Sequence, residues 1–228
     1  MLGGVGEDKG AIVGIAAGDL KNSLDALAAL EPRIAAALAE VGYPEPRISE
    51  PGYQTLLRAI VGQQVSVASA AALWAKLTAA VGDPPDPAVL LTASDETLRG
   101  AGLSRQKASY ARSLAEEVVS GRLDFARLPA DDEAAIAELV RVKGIGRWTA
   151  EVYLLFAEGR TDIWPAGDLA VQIETGRIMG LEGKPTEKRV RELAEAWRPH
   201  RGAFAIFTWH HRRAGREPQK TGVSEMLG

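Results

Sequence analysis

Residues 139–150 read Leu-Val-Arg-Val-Lys-Gly-Ile-Gly-Arg-Trp-Thr-Ala, and Asp168 follows Trp148 by twenty residues. The first stretch has the form of two helices joined by a tight turn. Gly144 and Gly146 flank Ile145 at the junction. Glycine admits positive φ and lets an anion approach the backbone. The unpaired N–H groups that open the following helix would then point at that anion. Ile145 would pack between the helices with Leu139 and Val142 behind it, and Lys143 and Arg147 add positive charge nearby. A turn of this kind grips phosphates without reading sequence. Asp168 follows Pro165, Ala166 and Gly167. Asp is a favoured helix N-cap, and a helix N-terminus favours an anion. The same carboxylate could stabilise a cationic glycosyl transition state. A phosphate-gripping turn joined to a single acid points to chemistry on a nucleic acid.

Three further groups bear on that chemistry. Residues 60–66, Ile-Val-Gly-Gln-Gln-Val-Ser, place Gln63, Gln64 and Ser66 after a glycine inside an apolar helical run. They suit either a polar helix start or a loop that enters a base stack. Trp148 and Trp209 could stack on a planar base, worth ~1–3 kcal/mol per base, although a helical Trp more often packs in a core. His210 and His211 are adjacent, so they face different ways on a helix, and no third ligand has metal-site spacing.

These residues need helices to position them, and the pattern along the chain is helical. Leu24, Leu27 and Leu30, then Ile34, Leu38 and Val41, recur at helical spacing, with Pro32 compatible with a break or a new first turn. Residues 53–80 form one or two helices interrupted near Gly62. Gly82 to Pro87 reads as a breaker. Helices are then expected over 94–100, 105–120, 131–142, 149–157, 168–180, 186–197 and 203–213. No alternating strand pattern is present, so the expected fold is all-α. It comprises a flexible segment over 1–18, a lobe over 19–50 plus 165–228 carrying Asp168, and a lobe over 51–164 ending in the helix-hairpin-helix at about 137–157.

Composition sets limits. The chain has 228 residues, and 46% apolar content supplies a sizeable core. The absence of Cys excludes disulfides, thiolate zinc sites, iron–sulfur clusters and a Cys nucleophile. No apolar run approaches the ~20 residues of a membrane span. Net charge is −3, but residues 101–228 hold 20 Lys/Arg against 18 Asp/Glu, and residues 197–220 hold six cations against Glu217. A local basic surface on an acidic chain is therefore expected.

Taken together, residues 60–66, 102–107, 143–150 and 164–168 resemble the helix–hairpin–helix DNA glycosylase superfamily. Within it the chain looks like the bacterial 3-methyladenine DNA glycosylase II type, and residues 197–201, Trp-Arg-Pro-His-Arg, are similar to the C-terminal signature of that branch. The resemblance implies a two-lobed fold with a cleft between the lobes. It also implies a monofunctional enzyme that flips alkylated purines out of double-stranded DNA and hydrolyses the N-glycosidic bond, leaving an abasic site. In these terms Asp168 is the catalytic carboxylate, and Trp148 stands where lyases of the superfamily carry a Schiff-base lysine. Trp148, Trp209 and Val152 belong to the base pocket. Gln64, with Gln63, is the intercalating wedge. Lys143, Gly144, Gly146, Arg147, Thr149, Ser104 and Lys107 contact phosphates. Backbone carbonyls of Val140, Val142 and Ile145 would hold a monovalent cation, Na+ or K+. No organic cofactor is implied, and the protein is expected to act as a cytoplasmic monomer with the nucleoid. The chain departs from the pattern in four respects. The residues before Tyr53 read as helical where larger members have a β-domain, Gln64 replaces a frequent Leu, Gly167 stands where some relatives have a second Asp, and Val152 stands where the pocket can have Tyr. Two other readings fit parts of the pattern: a glycosylase/lyase acting on oxidised or mismatched bases, and a non-catalytic helix-hairpin-helix module that grips DNA.

Overall fold

The computed structural model describes residues 15–215. Twelve α-helices and two short 3-10 turns account for the regular structure, and no strand occurs among the described residues. The chain divides into two compact units.

The first unit covers Arg47–Ile163, together with residues 15–16. Its helices are α3 (Tyr53–Gly62), α4 (Val67–Val81), α5 (Pro87–Thr92), α6 (Asp95–Gly100), α7 (Arg105–Val119), α8 (Asp132–Val140) and α9 (Arg147–Phe156). Starts follow cap chemistry. Ser66, Asp86, Ser94, Ser104 and Asp131 each accept main-chain N–H groups of the first turn they precede. Leu56, Leu57, Ile60, Leu77, Leu90, Leu98, Leu114, Leu139 and Leu154 are fully buried and form the apolar interior. At ~25 cal/mol per Å² of apolar surface removed from water, they supply the main stabilising term.

The second unit covers Ala17–Pro46 and the described chain from Trp164 onward. It holds α1 (Ala17–Leu30), α2 (Pro32–Val41), α10 (Leu169–Ile178), α11 (Glu187–Ala194) and α12 (Arg201–Ala214). Pro32 opens α2 behind the N-cap Glu31, so it starts a new helix. Trp164 stacks on Phe204 at 5.9 Å, and Trp197 meets Phe204 edge-on at 4.5 Å. These two Trp are core residues.

α10 and α12 are cross-linked by a buried charge. The Glu174 carboxylate is fully buried; it contacts Arg177 at 3.0 Å, His211 Nδ1 at 2.9 Å and Arg212 at 3.3 Å. Removing the acid leaves the buried His211 and the partly buried Arg212 without their shared acceptor. Glu174→Ala is expected to lower stability by about 3 kcal/mol, measured by urea unfolding.

Several expectations are corrected. Of the segment expected to be flexible, Ala17 and Gly18 belong to α1, Ile15 and Ala16 lie outside regular structure with Ile15 buried, and residues 1–14 lie outside the described residues. α5 had not been expected: Pro87 starts it, with Asp86 as the cap, and does not merely break the chain. The helix-hairpin-helix runs from Asp132 to Phe156, since α8 starts earlier than 137 and α9 starts at Arg147, not Thr149. Leu30, at the end of α1, is 63% exposed, so it is not core.

Candidate functional site

The hairpin is built as its sequence demands. Leu139, Val142 and Ile145 are buried at 0%, 1% and 4%, fixing the turn from its apolar side. Gly144 has φ +88°, a conformation side chains resist. A Cβ there would also lie 2.7 Å from Tyr110 Cε2 and closer still to Cγ and Cδ2. Gly146 stays at φ −88° and caps α9 with no side-chain acceptor, which leaves first-turn N–H groups for an external anion. Thr149 sits in that first turn.

The charges beside the hairpin divide into two kinds. Lys143 is exposed, and its N–H donates to Ser113 Oγ at 3.0 Å. Arg147 is bound by Glu133 at 2.8 Å and by Glu151 at 2.8 Å. The Glu133 hydrogen bond, followed by the pull of Glu151, raises the guanidinium pKa further above its usual range. Its charge is therefore already matched, which weakens it as a phosphate ligand. Ser104 caps α7, and Lys107 Nζ donates to the Val61 carbonyl at 2.8 Å. The basic C-terminal stretch is similarly compensated: Arg198 and Arg201 pair with Glu195, and Arg212 with Glu174. Counting charges within a sequence window misses acids supplied from outside it. Arg216 and Lys220 lie outside the described residues.

Asp168 is the N-cap of α10. Its Oδ1 accepts from the N–H groups of Ala170 at 2.8 Å and Val171 at 2.9 Å, and from Trp209 Nε1 at 3.3 Å. Cap and functional carboxylate are thus one group. Trp209 belongs to the same unit and orients that carboxylate.

A cavity of about 590 Å³ lies within the first unit. It gathers Trp148, Thr149 and Val152 from α9 with Gln63 and Gln64 from the loop after α3. Trp148 is 49% exposed, consistent with a stacking face rather than a core position. The sequence reading missed Tyr153 and Phe156, which line the same cavity. The Gly52 N–H donates to Tyr153 Oη at 2.7 Å, and burial pushes the phenol pKa well above its usual value. Phe156 was findable: Trp148, Val152 and Phe156 recur every four residues and share one face of α9. A larger recess of about 760 Å³ in the second unit, lined by Arg33, Glu40, Arg177 and His211 among others, contains none of the residues expected to catalyse or to contact DNA.

Gln64 has φ +55°, a left-handed conformation unusual for a residue with a side chain. It is exposed at the tip of its loop. Backbone strain of this kind costs of order 1–3 kcal/mol and persists where the surroundings enforce it.

For a monovalent cation, the Val142 carbonyl accepts from the Ile145 N–H at 3.0 Å, while the Val140 and Ile145 carbonyls accept no main-chain hydrogen bond among the described residues. Oxygen lone pairs therefore remain, which fits a hard cation. No cluster of three or more His, Cys, Asp or Glu suited to a metal occurs among the described residues. No helix among the described residues is long and apolar enough to cross a membrane.

Comparison with known proteins agrees with this arrangement. Residues 57–199 match the model of the HhH-GPD superfamily of base excision DNA repair proteins. DNA-3-methyladenine glycosylase 1 of Schizosaccharomyces pombe is 32% identical over 69% of this chain and 71% of its own length. Among solved structures, the S. pombe 3-methyladenine DNA glycosylase in complex with abasic DNA superposes with a TM-score of 0.72 at 28% identity, over 82% of this chain and 95% of that one. A DNA-3-methyladenine glycosidase from Bacillus halodurans gives a TM-score of 0.75 at 32% identity, over 85% and 89%. A match over more than half the chain, joined to a capped carboxylate and a glycine hairpin at the expected places, establishes that this chain belongs to the HhH-GPD superfamily of base excision DNA repair proteins.

Proposed function

We propose that the protein is a monofunctional DNA glycosylase that releases alkylated purines, of the 3-methyladenine and 7-methylguanine type, from double-stranded DNA and leaves an abasic site. The observation that carries this reading is the Asp168 carboxylate, fixed by two main-chain N–H groups and by Trp209 Nε1, in a chain whose relatives are named for 3-methyladenine.

The steps follow from the residues. DNA is held through its backbone by the N–H groups at the start of α9, with Lys143 and Thr149 beside them. The target nucleotide leaves the stack at a cost of a few kcal/mol, least for a damaged base. Gln64 fills the gap. The exposed face of Trp148, with Val152 beside it, receives the base. An N3- or N7-alkylated purine is cationic, so an electron-rich indole prefers it over a neutral base. That charge also makes the base a good leaving group, and a general acid is not required. As the glycosidic bond breaks, the bonding electron pair goes to the base and the sugar becomes an oxocarbenium-like cation. Asp168 stabilises that cation and orients the attacking water, whose oxygen bonds to the anomeric carbon as it gives up a proton to the Asp168 carboxylate. A Na+ or K+ on the carbonyls of Val140, Val142 and Ile145 would add positive charge beside the DNA phosphate. The protein acts as a monomer with the nucleoid in the cytoplasm.

Two outcomes test this reading. Trp148→Ala is expected to slow release of 7-methylguanine by about tenfold to a hundredfold, the equivalent of ~1–3 kcal/mol of lost stacking, while Trp148→Phe retains most of the rate in single-turnover assays. Borohydride added during turnover should trap no covalent protein–DNA adduct, since position 148 carries no lysine. An adduct would identify a lyase instead.

A further inference from the structure

The loop carrying Gln64 and the hairpin carrying Gly144 are far apart in sequence, yet one set of contacts locks them together. Gln63 Nε2 donates to the Gly144 carbonyl at 3.0 Å, a direct link across 81 residues. α7 supplies three more contacts, from residues spaced three apart. Lys107 Nζ donates to the Val61 carbonyl at 2.8 Å, at the end of α3 just before the loop. The Tyr110 ring covers Gly144 closely enough to leave no room for a Cβ, and Gln106 Nε2 donates to its hydroxyl at 2.6 Å. Ser113 Oγ accepts from the Lys143 N–H at 3.0 Å. Positions i, i+3 and i+6 lie on one face of a helix, so this side of α7 is a brace with the loop at one end and the hairpin at the other.

We infer that Gln63 is a positioning residue that couples the phosphate grip to base extrusion, and that it does not itself enter the DNA stack. The inference rests on the reading of Gln64 as the wedge and of the hairpin as the phosphate grip. The Gln63 amide is held by the hairpin, and Gln64, next along the chain, turns away at φ +55°. A hairpin seated on a phosphate therefore fixes where Gln64 stands. Without the link, the loop can relax from its strained conformation, and the wedge is lost while the hairpin still binds. Lys107, expected from sequence to bind phosphate, serves the brace.

The experiment compares Gln63→Glu and Gln63→Ala with the wild type. Gln63→Glu keeps the size and removes the donor toward the Gly144 carbonyl. Single-turnover release of 7-methylguanine is measured from a fully paired duplex and from the same lesion in an unpaired bubble, where extrusion is already accomplished. Hydrogen exchange of the DNA-free proteins is followed at residues 62–66 and 141–146. The duplex rate should fall by about tenfold, the order expected for one positioning hydrogen bond, with a much smaller loss on the bubble. Exchange should rise in both segments together. Equal losses on both substrates, no loss on either, or unchanged exchange would overturn the inference. Wild-type protein that released no base from either substrate would tell against the glycosylase reading alone, because the exchange measurement still decides the brace.

Discussion

Asp168→Asn binds methylated duplex DNA within about threefold of the wild type, a small change on the affinity scale, and releases bases about a hundredfold to a thousandfold more slowly, the range for loss of a preorganised electrostatic contact. The substitution isolates one property. Asn is as good an N-cap as Asp, and its side-chain oxygen can still accept from Ala170, Val171 and Trp209, which now hold Asp168 at 2.8, 2.9 and 3.3 Å. Fold and placement are kept, and only the negative charge is removed. Asp168→Ala is a poorer test, since losing the cap costs about 1 kcal/mol by itself. Gel-shift titration and single-turnover release separate the two effects. An Asn protein with undiminished release would remove Asp168 from the chemistry.

Gly144→Ala carries the largest expected loss of stability. Two independent penalties meet at this residue. Its φ of +88° costs a side-chain-bearing residue ~1–2 kcal/mol. The new methyl would also overlap the Tyr110 ring, where overpacking costs ~1–3 kcal/mol. The sum, about 2–5 kcal/mol, is a large part of the margin of a small domain. The penalties can be separated by urea unfolding of Gly144→Ala alone and with Tyr110→Ala. The double variant should show favourable coupling of about 1–3 kcal/mol, because the clash is relieved and the backbone cost remains. An Ala variant within 0.5 kcal/mol of wild type, the range of ordinary surface changes, would mean that the turn relaxes freely.

What could be read from the sequence was whatever depends on neighbours along the chain. The Gly-Ile-Gly turn, the cap at Asp168 and the interruption after Gly62 are local signals, and each stands where the spacing placed it. Trp164 and Trp197 pack in the core while Trp148 is half exposed, a division that residue type alone does not make. α5 is masked in the sequence because Gly82 and Pro87 have the form of breakers, although Asp86 before Pro87 is a start signal. Contacts between distant segments were not legible. The matching of Arg147 by Glu133, the Glu174 cluster and the Gln63–Gly144 link each join residues that sequence spacing does not relate. Lys107 shows the consequence: a cation in a suggestive motif reads as a phosphate ligand until its acceptor, the Val61 carbonyl, is seen.

Hydrolysis that frees alkylated purines leaves two products, the base and an abasic strand. The most direct measurement is chromatography of the bases liberated from duplex DNA treated with a methylating agent, with the strands examined in parallel. Free 3-methyladenine and 7-methylguanine are expected above spontaneous loss, with strands that remain intact until alkali cleaves them at abasic sites. Release no faster than without the protein, or strands cut by the protein itself, would contradict it.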